Sequence, residues 1–495
     1  MNRPERNSLK KDFSVFISYP SIKSEKGTAQ IGQNRQFQWF KQHSVIYPIV
    51  PAYAATLLGR EGYDVFWDDA IAKEEDYETW LSRIEESKPD LIAIETKTPV
   101  VKRHWEIINQ IKEKSPHTKT VLMGDHVTKL PEESMEKSKT DFVITGGDYD
   151  FILLNICNHL TKGDNLESGI WYRDEEHIIN TGKFNLNHDL NKLPLIDREL
   201  TMWKLYSENG NYKYLPGTYT MVGRDCWWGR CKFCSWPSLY PKYRTRSPES
   251  LFEEIKQLVE KYKVKEVMDD TGTFPVGDWL KEFCGLMIDS GLNKKVRISC
   301  NMRFGILKYE DYLLMRKAGF RFLLFGLESA NQETLDMIDK GIKVEDIRHG
   351  CMIAKKAGLN PHLTVMIGYP WETYKMAQNT INLAKDIFEE GYADTLQATI
   401  VMPYPNTSLY KECKKNNLLE IKHRDWEKFD MRSKILKSPL KEEQIKELTS
   451  SLYKLFFTPK YAWNQFISIR NPDDVKYLFR GFSKIVGKHL RDFAR

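Results

Sequence analysis

Three cysteines close together carry the clearest chemical signal in this sequence. Cys226, Cys231 and Cys234 fall within nine residues, in the segment Gly223-Arg-Asp-Cys-Trp-Trp-Gly-Arg-Cys-Lys-Phe-Cys-Ser. Three thiolates can hold an iron–sulfur cluster, and a four-iron cluster with three protein ligands leaves one iron open. The spacing therefore predicts a metal centre that binds a further small molecule.

Two other uses of these cysteines are weaker. A structural zinc site needs four Cys or His ligands, and no further Cys or His lies between His188 and Cys284. A disulfide needs an oxidising compartment, whereas the first residues are charged and have no apolar stretch typical of a secretion signal. The other five cysteines are scattered singly, as small buried side chains usually are.

Length and composition indicate a globular protein of two or three domains. The chain has 495 residues, of which 41% are hydrophobic and 29% charged. Its longest apolar runs, such as 322–325, have the length of a strand rather than of a membrane-spanning helix. The net charge of +6 is small for this size. We therefore expect a cytoplasmic protein without a nucleic-acid partner.

Residues 1–165 predict a doubly wound α/β domain, because strand-like and helix-like segments alternate. The predicted strands are 12–19, 64–69, 90–95, 119–124 and 141–145, and the predicted helices are 51–60, 79–87 and 105–114. In such domains ligands bind outside the carboxyl ends of the strands. The residues expected there are Tyr19, Asp68, Thr96, Gly124, Asp125, His126, Gly146 and Gly147. They suit a bulky cofactor, although a purely structural flavodoxin-like layer would show the same pattern.

A second series of strand–helix units occupies 206–420, after a hairpin and extended linker expected over 166–205. Its six predicted strands are 219–223, 266–269, 297–300, 321–326, 363–368 and 395–402. Helices between them include one that Ser247 should cap and Pro248 should open. Six such units predict an open (β/α)6 partial barrel.

Polar residues recur at the carboxyl ends of these six strands. They are Asp269, Asp270, Thr271, Asn301, Arg303, Glu328, Ser329, Tyr369, Glu372, Tyr404 and Asn406. Loops at this end of a barrel converge on one mouth, and the three cysteines follow the first strand. Any one of these residues would be unremarkable alone, but their recurrence at one end favours a shared active site. No single side chain is identified as catalytic.

The tail, 421–495, is expected to be helical. Residues 441–457 have the pattern of an amphipathic helix, and 475–495 alternate basic and apolar residues at helical spacing. Such a segment either lies on a membrane surface, peripheral to the bilayer, or packs on the barrel with a solvated basic face.

The ordered motifs resemble the radical S-adenosylmethionine (SAM) enzymes, in particular the branch with an N-terminal cobalamin-binding domain. The resemblance covers about 400 residues. It rests on the three-Cys loop, Met268-Asp-Asp-Thr-Gly-Thr-Phe, Cys300-Asn-Met-Arg, Phe325-Gly-Leu-Glu-Ser-Ala, Met366-Ile-Gly-Tyr-Pro-Trp-Glu-Thr and Met402-Pro-Tyr-Pro-Asn, with Gly124-Asp-His-Val-Thr and Thr145-Gly-Gly-Asp in front.

The resemblance implies three cofactors. The cysteines would ligate a [4Fe-4S] cluster, whose reductive cleavage of SAM yields a 5'-deoxyadenosyl radical. Phe233 would flank the adenine, Asp269, Asp270 and Thr271 would meet the SAM amino group, and Arg303 and Glu328 would hold its carboxylate or ribose. Tyr19, Thr96, Gly124, Asp125, His126, Gly146 and Gly147 would contact cobalamin. An electron donor such as flavodoxin or ferredoxin is also implied.

The sequence departs from the family twice. Most members have three residues between the first two cysteines, whereas this chain has four, 227–230. The Asp-x-His-x-x-Gly signature that supplies a histidine to cobalt is absent from the front domain. His43 and His126 lie nearest the expected loop positions, and we expect each to be a surface histidine.

Three functions fit the resemblance. One is cobalamin-dependent methylation of an unactivated carbon in a lipid-like or other secondary metabolite. Another is radical cyclisation or oxidation of a lipid or tetrapyrrole. A tRNA or protein methylthiotransferase is disfavoured, because that class usually has cluster-binding cysteines in its N-terminal domain and residues 1–156 contain none.

Overall fold

A computed structural model describes residues 12–31, 37–41, 43–208, 212–405, 407–422 and 424–484. The chain divides into unit 1, residues 1–34 and 43–205, and unit 2, residues 35–42 and 206–495. Asn406 and the last eleven residues of the predicted tail helix, 485–495, lie outside the described residues.

The strands and helices alternate along most of the chain. The strands are β1 (Ser14–Tyr19), β2 (Lys23–Ser24), β3 (Gly27–Gln30), β4 (Gln38–Phe40), β5 (Asp64–Asp69), β6 (Leu91–Thr96), β7 (Lys119–Gly124), β8 (Phe142–Ile144), β9 (Ile170–Asp174), β10 (His177–Asn180), β11 (Gly217–Thr220), β12 (Gly223–Arg224), β13 (Arg244–Thr245), β14 (Glu266–Asp269), β15 (Arg297–Met302), β16 (Phe320–Glu328), β17 (Asn360–Ile367) and β18 (Thr395–Ile400). The helices are α1 (Ile49–Arg60), α2 (Tyr77–Ser87), α3 (Val101–Lys114), α4 (Asp125–Lys129), α5 (Pro131–Lys137), α6 (Tyr149–Lys162), α7 (Lys204–Ser207), α8 (Trp236–Leu239), α9 (Pro248–Glu260), α10 (Asp278–Asp289), α11 (Tyr309–Lys317), α12 (Gln332–Met337), α13 (Val344–Lys356), α14 (Tyr374–Glu389), α15 (Ser408–Lys415), α16 (Glu442–Lys454), α17 (Pro459–Ser468) and α18 (Pro472–Lys484).

Unit 1 is built on a sheet with the strand order β10-β9-β8-β7-β6-β1-β5. The five strands β5, β1, β6, β7 and β8 are parallel, in the order 2-1-3-4-5 of a doubly wound fold. The central strand β6 is buried along its whole length, as expected where helices cover both faces of a parallel sheet. The predicted fold of the front domain is confirmed.

Residues 166–205, predicted as a hairpin and linker, are part of unit 1. The hairpin β9–β10 forms, and β9 extends the sheet by pairing antiparallel to β8. The buried Ile170 of β9 lies opposite Ile144 of β8, so the segment adds to the apolar core. The linker prediction missed this because a short, mostly polar hairpin gives no sign of where it docks.

Unit 2 contains six parallel strands in the order β11-β14-β15-β16-β17-β18. This open sheet with intervening helices is the partial barrel predicted from the sequence. Ser247 caps α9 by accepting a hydrogen bond from the Ser250 amide, and Pro248 occupies the first turn, as expected. β11 ends three residues earlier than predicted, because the amides of Val222 and Gly223 bond to side chains instead of to a neighbouring strand.

The described part of the tail packs on unit 2. Helix α16 lies against α14 and β18, and the Tyr453 hydroxyl bonds the main chain of Ala398. Farther along, Arg480 in α18 donates to the carbonyl oxygens of Tyr212 and Lys213. Within the described ranges, no helix combines the length and apolar character needed to cross a bilayer.

Candidate functional site

The cysteine loop is held at both ends by a short antiparallel ladder. Gly223 in β12 pairs with Thr245 in β13. The residues between them therefore form a loop after β11, and the two ends of this loop are paired with each other. Gly272, after β14, lies directly beneath this loop. A Cβ there would approach Asp225 Oδ1 to 2.0 Å and Cys226 Cβ to 2.9 Å, so only glycine allows this contact.

Each cysteine of the loop is partly exposed and has neighbours that fix it. Cys226 Sγ lies 3.0 Å from Thr273 Oγ1. The Cys234 amide donates to the Cys231 carbonyl at 3.1 Å. Burial raises the pKa of the Cys231 thiol, and the neighbouring Lys340 and Arg303 cations oppose that rise. The loop therefore presents three thiols beside two positive charges.

The three thiols suit a multi-iron cluster better than a single ion. Within the described ranges, no group of three His, Cys, Asp or Glu side chains is placed to hold one metal ion. In a four-iron cluster each thiolate binds a different iron, so the sulfurs need not converge on one point. Three partly exposed thiols on one loop with paired ends fit the ligand set of a four-iron cluster.

Asp269 and Thr271, predicted to face SAM, instead hold the end of β14 to the end of β11. The Asp269 carboxylate accepts hydrogen bonds from Thr220 Oγ1 at 2.9 Å, from the Val222 amide at 2.9 Å and from the Thr271 amide at 3.1 Å. Thr271 Oγ1 accepts from the Gly223 amide at 2.8 Å. Both side chains are buried, and burial raises the pKa of Asp269 against these bonds. Their bonds fix the start of the cysteine loop.

Glu328 forms a buried ion pair that the sequence did not reveal. Its Oε1 accepts from Lys340 Nζ at 2.7 Å, and both side chains are under 10% exposed. Glu328 has φ of +60° beside a register shift in β16, so the backbone turns sharply where the strand ends. Burial disfavours the charge on Lys340, but Glu328 and Cys231 outweigh it and raise the pKa of Lys340. Lys340 lies in the loop after α12, outside every motif, and no sequence signal marks it.

Phe233 and Arg303 complete the surroundings of the cysteine loop. Lys340 Nζ lies 5.8 Å from the centroid of the Phe233 ring. Arg303 follows β15 and is 5% exposed. Its Nη2 donates to the Lys340 carbonyl, and its Nη1 lies 4.0 Å from Cys231 Sγ. The structure thus brings Phe233, Arg303 and Glu328 together around Cys231.

Several buried polar atoms near this loop have no hydrogen-bond partner among the described residues. They are Trp227 Nε1, Tyr243 OH, Arg303 Nε, Tyr369 OH and Glu372 Oε1. Burial raises the pKa of Tyr243, with Asp269 and Cys226 adding to the rise, and burial likewise raises the pKa of Tyr369, with Glu328 contributing. Buried donors are normally satisfied. The four donors among these five atoms would fit a ligand with several acceptor atoms.

The predicted residues of unit 1 lie at the carboxyl edge of its sheet, and most of their polar atoms are bonded inside the unit. The Tyr19 hydroxyl donates to Glu95 Oε2 at 2.7 Å. Thr96 Oγ1 lies 2.7 Å from His104 Nδ1. Asp125 Oδ1 accepts from the His126 amide at 2.7 Å, and burial raises the pKa of Asp125. Glu95, which is buried one residue before Thr96, was not predicted as a residue of this edge. It lies within a strand whose sequence is mostly apolar.

His126 is buried, so the expectation of a surface histidine is wrong. It is 1% exposed, packs against Trp105 with ring centroids 6.3 Å apart, and has Nδ1 3.3 Å from Thr98 Oγ1. Burial lowers the pKa of His126 to about 3, so the ring is neutral. His43 is also largely covered, with a side-chain exposure of 16%, and lies 4.0 Å from Glu74.

The glycines of this edge have local structural reasons. A Cβ on Gly124 would lie 2.1 Å from the Thr96 carbonyl oxygen, and one on Gly146 would lie 2.7 Å from the Phe184 ring. Both have positive φ, +135° and +83°. Gly147 follows in the same turn. Tight packing requires at least two of these glycines, whatever ligand the edge binds.

Comparison with known proteins assigns both units. Residues 42–150 match the model of the B12 binding domain, and residues 221–384 match that of the radical SAM superfamily. Among curated proteins, the chain is 27% identical over 415 residues to the uncharacterized methyltransferase PH0819 of Pyrococcus horikoshii, covering 83% of this chain and 87% of that one. It is 26% identical to the anaerobic magnesium-protoporphyrin IX monomethyl ester cyclase of Cereibacter sphaeroides, covering 83% and 68%.

Two solved structures share the fold. The radical SAM methyltransferase TsrM from Kitasatospora setae, with cobalamin and a [4Fe-4S] cluster bound, aligns with a TM-score of 0.63 at 15% identity over 82% of this chain and 78% of TsrM. The cobalamin-dependent radical enzyme OxsB, with aqua-cobalamin and SAM bound, aligns with a TM-score of 0.68 at 13% identity over 95% and 70%. This protein is a radical SAM enzyme with a B12 binding domain ahead of its radical SAM domain.

Proposed function

We propose that this chain is a cobalamin-dependent methyltransferase that acts on an unactivated carbon. The three-cysteine loop, held by its ladder and surrounded by buried donors that have no partner among the described residues, is the observation that carries the proposal. The B12 domain in front and the similarity to a methyltransferase support it. When bound, the cluster would supply the electron that cleaves SAM, and cobalamin would carry the methyl group.

Cys226, Cys231 and Cys234 would hold the [4Fe-4S] cluster. Gly272 and the ladder of β12 with β13 keep the loop in one place, which a cluster with an open iron requires for repeated ligand binding. Burial favours the neutral Cys231 thiol, but the Lys340 and Arg303 cations oppose this and would help to hold a thiolate once metal is bound.

Around the open iron, the side chains match the groups of SAM. Phe233 would flank the adenine, and Asp270 would face the amino group, while Asp269 and Thr271 act by holding that edge. Arg303 Nε, which has no partner in the described part of the chain, and the Lys340–Glu328 pair would meet the carboxylate and ribose. Tyr369, with its buried hydroxyl lacking a described partner, would close the same site.

The carboxyl edge of unit 1 would bind cobalamin. Tyr19, Thr96, Gly124, Asp125, His126, Gly146 and Gly147 all lie at the ends of adjacent parallel strands, where doubly wound folds bind ligands. Because His126 is buried and neutral, it would shape the floor of the edge rather than reach cobalt.

A lipid-like metabolite is the proposed substrate class, and peripheral membrane contact is part of that proposal. The tail exposes several large apolar side chains, including Trp463 at 62%, Phe466 at 65% and Phe479 at 73%. Lys460 and Lys476 are exposed on the same two helices, and Arg470 is exposed in the short segment between them. Apolar side chains flanked by basic ones are typical of a surface that touches anionic lipid.

The cluster is tested by anaerobic reconstitution. The full chain should bind about four irons, show broad iron–sulfur absorbance, and cleave SAM to 5'-deoxyadenosine with a chemical reductant. Replacing Cys226, Cys231 and Cys234 together by Ala should abolish all three properties, while Cys413→Ala, which changes a buried cysteine elsewhere in unit 2, should change none. SAM cleavage by the triple variant would refute the assignment.

A radical cyclase is the second candidate, favoured by the similarity to the magnesium-protoporphyrin IX monomethyl ester cyclase. Methyl-labelled SAM separates the two. A methyltransferase moves the label into a carbon of the product, whereas a cyclase leaves the product unlabelled. Incubation with a lipid extract and mass spectrometry of the products would decide between them.

A further inference from the structure

The cysteine loop, which has one residue more than in most family members, is held by contacts with the turn 339–341. Trp228, in the four-residue stretch between Cys226 and Cys231, donates from Nε1 to the Asp339 carbonyl at 2.8 Å. Gly341 lies against the six-membered ring of the same indole, since a Cβ there would approach Trp228 Cζ2 to 2.0 Å. Arg230 adds a bond from Nε to Asp339 Oδ2 at 3.0 Å. The loop is therefore fastened to the turn 339–341.

Trp228 also fixes the guanidinium of Arg303. The Arg303 Cζ atom lies 4.5 Å from the centroid of the Trp228 ring, within cation–π distance. On its other side the guanidinium donates to the Lys340 carbonyl, in the same turn. The Trp227 ring is a more distant neighbour, with its centroid 5.6 Å from Arg303 Cζ. In this position Nη1 lies 4.0 Å from Cys231 Sγ.

No carboxylate of the described residues pairs with Arg303. Lys340, the other cation beside Cys231, pairs with Glu328. Among the described residues no ion pair joins Arg303 to Asp or Glu, and Arg303 is 5% exposed. A buried cation next to a cluster sulfur stabilises the more negative, reduced cluster, because net charge and hydrogen bonds to sulfur set the potential.

We propose that Trp228 is a positioning residue, which holds Arg303 beside Cys231 so that the guanidinium favours reduction of the cluster. The proposal rests on the cluster assignment above and adds a role for the unusual loop length. The extra residue gives the loop the reach to place an indole in contact with both Arg303 and the turn 339–341.

The test is an EPR-monitored redox titration of the reconstituted full chain, with iron and sulfide measured for every variant. Arg303→Gln should shift the midpoint potential to a more negative value. Trp228→Leu should shift it in the same direction, and Trp228→Phe, which keeps an aromatic face, should shift it less. The double variant Trp228→Leu/Arg303→Gln should match Arg303→Gln alone, since Trp228 acts through Arg303.

Gly341→Ala tests the same contact from the opposite side and does not alter the indole. It should displace Trp228 and lower the midpoint potential. Gly291→Ala is the matched control, because Gly291 has φ of +71°, close to the +66° of Gly341, but no atom within 4 Å of the place where its Cβ would lie. The control should leave the potential unchanged.

Two results separate this inference from the proposed function. If the wild-type chain binds no cluster, the cluster assignment fails and the inference with it. If Arg303→Gln lowers the potential while iron-loaded Trp228→Leu and Gly341→Ala both keep the wild-type value, the role of Trp228 is overturned and the cluster assignment stands. Additive shifts in the double variant would likewise overturn it.

Discussion

The carboxyl edges of the two sheets carry similar types of polar residue, but these residues differ in what they bond to. In unit 2, the residues at the strand ends surround a loop of thiols, and five buried polar atoms there lack a described partner. In unit 1, Tyr19, Thr96 and Asp125 direct polar atoms at other residues of the same unit. The unit 1 edge also has two buried atoms without a described partner, Glu95 Oε1 and His104 Nε2, so the edges differ in the number of such atoms rather than in their presence.

This difference follows from the ligands proposed for the two edges. SAM is small and charged, so it needs individual donors and acceptors from side chains. Cobalamin is large, and a binding edge for it can rely on shape and main chain, with glycines that let the chain turn tightly. Gly124 and Gly146 fit that second design because packing already excludes a side chain at either position.

The largest effect is expected at the contact beneath the cysteine loop. Gly272→Ala would push a methyl group into Asp225 and Cys226, with approaches of 2.0 and 2.9 Å. We expect iron affinity to fall about 10–100-fold, as when an outer support of a metal site is removed. Iron content and SAM cleavage after reconstitution measure it.

The matched control for that substitution is Gly285→Ala within α10, where nothing lies within 4 Å of the added methyl group. It should reconstitute like the wild type. Equal iron uptake by Gly272→Ala would mean that the loop is not held by this contact, and the contrast between the edges would lose its firmest support.

Glu372 tests whether a buried carboxyl group in unit 2 lowers the free energy of unfolding when it ionises. Burial raises the pKa of Glu372 to about 7, although the Gly368 amide donates to its Oε2. The folded state therefore binds a proton more tightly than the unfolded state, whose carboxyl has a pKa of about 4.3. Stability should fall as pH rises from about 4.3 to about 7, by roughly 4 kcal/mol in total, and stay low above that.

Glu372→Gln removes this ionisation, so the wild type should lose stability relative to the variant by that amount between pH 4 and pH 8. Urea unfolding of the cofactor-free chain at several pH values measures the difference. Glu345→Gln, at an exposed position at the start of α13, is the control and should show no such trend. A wild-type curve parallel to that of Glu372→Gln would show that the carboxyl is solvated.

The sequence was sufficient for the sheets and the cysteine loop because their signals are local. Alternating apolar segments and polar strand ends are encoded within a few residues, and β14 begins and ends where the pattern predicted. The role of Asp269 was not accessible in this way. Whether a carboxylate faces a ligand or the amide of Val222, 47 residues away, depends on tertiary contacts.

Lys340 and His126 also show that local sequence does not predict tertiary contacts. The sequence missed the first as a site residue and wrongly placed the second at the surface. Lys340 belongs to no motif, and only the folded chain brings it to Glu328. His126 sits in a loop motif typical of exposed residues, but the short helix α4 turns it against Trp105. A residue's burial depends on which element packs over it, which local pattern does not specify.

A smaller effect is expected at Gly146 in unit 1. Gly146→Ala would place a methyl group 2.7 Å from Phe184 and impose a side chain at φ of +83°. The cost should be about 1–3 kcal/mol, from backbone strain and overpacking. Gly163→Ala, with φ of +76° and open space around it, isolates the strain alone. Urea unfolding should rank Gly146→Ala as the less stable, and the reverse order would show that Phe184 yields without cost.

The smallest effect is expected where the resemblance to cobalamin proteins would suggest the largest. His126→Gln should leave the absorption spectrum of bound cobalamin unchanged, because the ring is buried against Trp105 and its Nδ1 is directed at Thr98. A histidine bound to cobalt would add nitrogen hyperfine splitting to the EPR spectrum of the Co(II) form, and we expect none from either protein. Splitting that disappears in His126→Gln would place this imidazole on cobalt. The edge of unit 1 would then bind its cofactor through a specific side chain, as the edge of unit 2 is proposed to do.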